Sequence, residues 1–154
     1  MVKKMYQSVD GSSMNYVIDT NVLLSDPKSL YSFGKNNIFL HFEVIRELEK
    51  FKKGNEEINA NSREVLRKLK HHLDETEKRP IPLNNGGHLY FIEPKSLDGL
   101  DSKPYADPAL LKYVSSLEGN KRENTVLVTE DNALYVMADA LGIKTEVYLD
   151  GREG

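Results

Sequence analysis

The sequence predicts an α/β fold, a three-layer α/β/α arrangement around a central, mainly parallel sheet of about five strands. Two observations predict it. Short apolar or β-branched runs, such as Tyr16-Val17-Ile18 and Thr125 to Val128, alternate with longer stretches whose apolar residues recur at helical spacing. Alternation of this kind builds crossovers that lay strands parallel and put helices on both faces of the sheet. A length of 154 residues fits one such domain over 16–150, with 1–15 as a flexible lead-in and 151–154 as a tail.

Taken in order, Tyr16-Val17-Ile18 is a buried strand that stops at Asp19, and a helix follows it to near Gly34. Ile38-Phe39-Leu40 is the second strand. Val44, Ile45, Leu48 and Phe51 share a helix face ended by Gly54, and Ile58, Val65, Leu66, Leu69 and Leu73 form the stripe of a longer helix that ends before Pro80. Asn84-Asn85-Gly86-Gly87 is a turn, and His88 to Ile92 is a strand. Pro94 to Tyr105 has no period and reads as a loop. Asp107-Pro108 starts a helix carrying Leu110, Leu111, Val114 and Leu117. After the strand from Thr125, Leu134, Met137, Ala138 and Leu141 form a helix face that stops at Gly142, and Glu146-Val147-Tyr148 is the last strand.

Composition narrows the chemistry. The chain has no cysteine, which removes disulfides, zinc-thiolate sites and thiol nucleophiles and leans towards a reducing, cytoplasmic setting. No apolar run approaches the roughly 20 residues of a membrane helix, and the basic N-terminus has no apolar core behind it, so a membrane partner is not expected. The net charge of −3 argues against a high-affinity nucleic-acid binding module and suits an enzyme that gathers carboxylates.

Those carboxylates are Asp19 at the end of the first strand, Glu47 on a helix, Asp107 at a helix start and Asp131 just past the strand ending in Thr129. Singly, the three aspartates are ordinary helix caps and Glu47 an ordinary solvated glutamate. Jointly they say more. A parallel sheet sends its strand ends to one rim, where clustered carboxylates repel each other, and no lysine or arginine lies beside either strand end. A hard divalent cation answers that repulsion, and carboxylates with magnesium point to phosphoryl chemistry. Spacing does not choose between Glu47 and Glu49, which border the apolar stripe equally.

The ordered set resembles the PIN domain: Asp19-Thr20-Asn21, then Glu47-Leu48, then Asp107, then Thr129-Glu130-Asp131. The resemblance runs from Tyr16 to Tyr148. It is most similar to the PIN half of PhoH-type proteins, in SDPKSL, VIRELEKFKKG, NSREVLRKL, NNGGHLYF and ADALGI. It implies a PIN-like fold and an endoribonuclease dependent on Mg2+ or Mn2+, with Asp19, Glu47, Asp107 and Asp131 as metal-binding, catalytic carboxylates. Thr20, Asn21 and Thr129 would orient them. The implied partners are single-stranded RNA, a second copy in a homodimer, and a covalently linked PhoH-type ATPase. No G-x-x-x-x-G-K-[ST] occurs here, and the abrupt close at DGREG gives the expectation of a fragment. Two positions depart from the family's usual polarity, Pro108 after Asp107 and Asn132-Ala133-Leu134 after Asp131. They motivate the alternative of a catalytically weak or inactive RNA-binding or assembly module. A phosphoacceptor domain fits worse, because Asp19-Thr20 lacks the acidic pair such domains use.

Among the basic residues, Lys52, Lys53 and Arg63 are the RNA-binding candidates, with Lys50 beside them. Arg67 and Lys70 read as a solvated helix flank. His71 and His72 diverge on their helix and cannot chelate one metal together. His41, Tyr90 and Phe91 read as structural, and Tyr105 has a better chance of touching a base.

Overall fold

The computed structural model describes residues 8, 10–94 and 106–148, with Ala106 and Asp107 described by their backbone alone. β1 (Asn15–Ile18) leads through Asp19 into α1 (Thr20–Ser25) and a 3-10 turn (Pro27–Tyr31). β2 (Asn37–His41), α2 (Phe42–Phe51) and α3 (Glu57–Glu75) follow, then β3 (Ile81–Pro82) and β4 (His88–Ile92). The rest is α4 (Ala106–Ser115), α5 (Gly119–Glu123), β5 (Thr125–Thr129), α6 (Asn132–Ala140) and β6 (Thr145–Val147). The six strands are ordered β3-β4-β2-β1-β5-β6, and every pair is parallel except β3 with β4.

This is the expected mainly parallel α/β/α architecture. Tyr16, Val17 and Ile18 of β1 and all of β5 are buried, as happens when both sheet faces are covered. The strand beyond the expected five is β3. Its two residues, one buried and one exposed, are too few to show an alternation in sequence. The short helix α5 was likewise not expected; it has no buried residue to set a period.

Several boundaries differ for identifiable reasons. The helix expected from Asp19 to Gly34 breaks after Ser25, where Asp26 accepts from Lys28 N and starts a new turn with Pro27. Residues 10–15 of the expected lead-in are fastened to the fold: Met14 is buried, Asn15 N donates to Asn124 O at 2.7 Å, and Asn124 Nδ2 donates to Asp10 at 3.0 Å. Hydrogen bonds from Ser12 and Asn124 hold the Asp10 carboxyl at about 2. The helix of Asp107 opens one residue earlier, at Ala106, so Asp107 lies within its first turn, and Leu117 falls beyond its end. Residues 95–105 of the expected loop, Tyr105 included, lie outside the described residues, as does the tail.

Two apolar stripes are only partly covered. In α3, Val65 and Leu69 are core, whereas Ile58 and Leu73, in its first and last turns, are 38% and 39% exposed. In α6, Leu134 and Ala138 are buried, but Met137 and Leu141 are open because α6 packs on β5 and β6 at the sheet edge. Among the described residues no helix is long and apolar enough to cross a membrane.

Candidate active site

The site follows from strand register. β1 and β5 are parallel neighbours with Ile18 opposite Val128, so Asp19 and Thr129 leave the sheet side by side. Asp19 N continues the ladder by donating to Val128 O at 2.9 Å. Here the strand order also reverses, since β2 lies on one flank of β1 and β5 on the other. In open parallel sheets this crevice beyond the strands' carboxyl ends is where ligands bind.

A run of hydrogen bonds ties the acidic residues together there. Thr129 Oγ1 donates to Asp19 Oδ2 at 2.8 Å and accepts from Asp131 N at 2.9 Å. Asp19 Oδ1 accepts from Thr20 N at 2.8 Å, and Thr20 Oγ1 donates to Glu47 Oε1 at 2.6 Å. The Glu47 and Asp19 carboxylates and the backbone N–H of Asp131, far apart in the chain, are thus linked through Thr20 and Thr129. Asp19 is 1% exposed and Thr129 fully buried, so the bond between them is made away from solvent, whereas the contacts of Glu47 and Asp131 are part-buried.

The bland roles are filled as well. Asp19 caps α1, and Asp131 caps α6 through Oδ1, which accepts from Ala133 N at 2.8 Å and Leu134 N at 3.3 Å. Metal binding by Asp131 would therefore fall to Oδ2. Glu47 and Glu49 differ in their partners: Glu47 accepts from Thr20, whereas Glu49 is exposed and ion-pairs with Lys52. Asp107 lies in the first turn of α4, which packs on β2, β5 and α2; its side chain lies outside the described residues. Asn21 is exposed on α1, and the orienting contacts to the carboxylates come from Thr20 and Thr129.

The carboxylate and hydroxyl oxygens at this rim are the donor type that a hard cation prefers. Among the described residues no three side chains already form a metal-holding group. Arg63, one of the basic candidates, is engaged in the fold: its Nη1 donates to Lys52 O at 2.6 Å and Gly54 O at 3.1 Å. Lys53 is exposed. Lys70 pairs with Asp74 at 2.8 Å on the surface, as a solvated flank would. His41 is the cap of α2; its Nδ1 accepts from Glu43 N at 3.0 Å, and burial lowers its pKa below 6.5.

Beside the carboxylates lies an open cleft of about 340 Å³ that ends at Asp131 and Glu130. Ser25 and Glu130, both lining it, are joined by a hydrogen bond from Ser25 Oγ to Glu130 Oε2 at 2.6 Å. Neither this contact nor the part of Phe51 in lining the cleft was legible beforehand, because the partners meet only through the fold.

A family profile described as PIN domain matches residues 16–149. Protein PhoH2 of Bacillus subtilis is 32% identical over 151 residues, covering 89% of this chain and 33% of that protein. Protein PhoH2 of Thermobispora bispora is 31% identical over 145 residues, covering 88% and 32%. The chain thus spans about a third of the length of these relatives. A solved domain of a functionally unknown protein from Methanocaldococcus jannaschii superposes with a TM-score of 0.61 at 21% identity, over 92% of this chain and 96% of that one; it shares the fold.

Proposed function

The chain belongs to the PIN domain family, and on that premise we propose that it is an endoribonuclease dependent on Mg2+ or Mn2+, cutting single-stranded RNA. The observation that carries this reading is the hydroxyl-bridged run from Glu47 through Thr20, Asp19 and Thr129 to Asp131 at the reversal of strand order. Clustered carboxylates are costly unless a cation or a proton neutralises them. Asp19, Glu47, Asp131 and, from α4, Asp107 would hold the metal. When bound, it would supply charge stabilisation on the phosphodiester and acidify a water. The chain's own part is to hold the acidic side chains in place. Thr20 and Thr129 donate to Glu47 and Asp19, which fixes their rotamers. In the hydrolysis the water oxygen joins phosphorus, the P–O3′ bond breaks, and the products carry a 5′ phosphate and a 3′ hydroxyl.

The second reading is an RNA-binding or assembly module serving an attached ATPase. It is favoured by the relatives being about three times as long as this chain. One experiment separates the two. Labelled single-stranded RNA is incubated with the chain in EDTA, then in magnesium or manganese. The nuclease reading expects 5′-phosphorylated fragments only with metal, and a loss of at least about a hundredfold in Asp19→Asn, which removes a charge while keeping the shape. Cleavage that persists in EDTA, or an Asp19→Asn protein as fast as the parent, would defeat it. Salt-sensitive RNA binding with no turnover in either metal would establish the second reading instead.

A further inference from the structure

Phe51 occupies the last turn of α2, one helical turn beyond Glu47 on the same flank, and it is 37% exposed. With Ile58 at the start of α3, 38% exposed, and Leu24 of α1 as floor, it forms the apolar wall of the cleft that ends at Asp131. Exposed apolar groups around a cleft mark a binding surface more often than chance. The cleft volume of about 340 Å³ is at the small-ligand end of the usual range, enough for a base and its sugar and too small for a helix.

The wall is built rigidly. Asn59, itself buried, donates from Nδ2 to Phe51 O at 2.7 Å and accepts from Glu56 N at 3.0 Å. Gly54, at φ +134°, lets Asn59 approach; a Cβ there would collide with its side-chain amide. Arg63 clamps Lys52 O and Gly54 O from the other side. These bonds fix the backbone of the turn that carries Phe51, which lowers the ordering cost of using it. Lys50 and Lys53, one and two positions from Phe51 in the chain, are exposed and available to a phosphate backbone, and Asn21 adds an amide to the cleft lining.

We infer that this corner is a base pocket, in which Phe51, backed by Ile58 and Leu24, stacks one unpaired base of the strand whose neighbouring phosphodiester lies at the carboxylates. The inference rests on the nuclease reading for its substrate. A base is the occupant because an aromatic face and an amide line one cleft with Asp131, and exposed lysines adjoin Phe51 in the chain. A base in a duplex cannot enter, so the pocket selects single strands.

The test compares Phe51→Ala and Phe51→Trp with the parent chain. Binding of fluorescein-labelled single-stranded and blunt duplex RNA is read by anisotropy in EDTA, and KM and kcat are read in manganese. Phe51→Ala is expected to weaken single-strand binding and raise KM by about tenfold, with kcat changed by less than about threefold and duplex binding unchanged. Phe51→Trp is expected to restore both. Unchanged single-strand binding in Phe51→Ala overturns the pocket, as does an equal loss on single strand and duplex. A parent that is dimeric by light scattering, and made monomeric by Phe51→Ala, would assign the face to a second copy and also overturn it. A parent that cuts RNA with KM indifferent to Phe51 leaves the nuclease reading standing without the pocket. A parent that binds through Phe51 but never cuts leaves the pocket without the nuclease.

Discussion

Thr129 Oγ1 donates to Asp19 Oδ2 across 2.8 Å, joining the first residue after β1 to the last residue of β5. The same oxygen accepts from Asp131 N, so one hydroxyl sets the spacing between two acidic residues that arrive on separate strands. A carboxylate that accepts such a bond in a fully buried position is fixed in rotamer before any ligand arrives.

Removing that hydroxyl is the sharpest structural probe. Thr129→Val keeps the volume but leaves a buried Asp19 oxygen short of a donor. It is expected to cost about 1–3 kcal/mol in urea unfolding and about 10- to 100-fold in metal-dependent cleavage. Thr129→Ser keeps the hydroxyl and is expected to retain most of both. A Val variant as active as the parent would show that the bridge does not orient the site.

The basic candidates separate into different roles. Arg63→Ala releases the carbonyls of Lys52 and Gly54 and is expected to lower stability by about 1–2 kcal/mol. Lys53 is exposed, and Lys53→Ala is expected to reduce the slope of log K against log salt for single-stranded RNA by about 0.7, one phosphate contact. A Lys53→Ala slope equal to the parent's would remove Lys53 from the RNA path.

His41 gives a pH dependence with a definite sign. Its folded pKa is lowered by burial, so on acidification the unfolded chain takes up a proton first. Stability from this residue is therefore whole above 6.5 and declines as pH falls below it. His41→Asn keeps a capping side chain without the titration. Between about pH 7 and 5.5 the parent's urea midpoint is expected to fall more steeply than the variant's. His72, also lowered by burial, is present in both and cancels. Parallel pH profiles would contradict the assignment.

Gly87 sits where β4 enters the sheet beside β2. A Cβ there would overlap Asn36 O and come within 3.0 Å of Gly34 O, both backbone atoms that cannot swing away. Gly87→Ala is expected to cost about 1–3 kcal/mol in thermal or urea unfolding. A variant of parental stability would mean that the β2–β4 pairing yields more readily than close packing implies.

The sequence alone determined the sheet and most of its helices, because hydrophobic period is a local property. Tyr16-Val17-Ile18 and Thr125 to Val128 needed no tertiary information to read as buried strands, and both are. The ordered acidic residues and their threonines were legible through family resemblance, which carries information that spacing lacks; spacing could not prefer Glu47 to Glu49. Only the tertiary structure separates the two: it brings Thr20, 27 positions away, to Glu47 and leaves Glu49 paired with Lys52 at the surface. It also decided which apolar residues face out. Phe51, Ile58, Met137 and Leu141 keep the helical period of their buried neighbours, yet all four are exposed. A helix's period tells which residues share a face, whereas whether anything covers that face depends on neighbours that only the folded chain supplies.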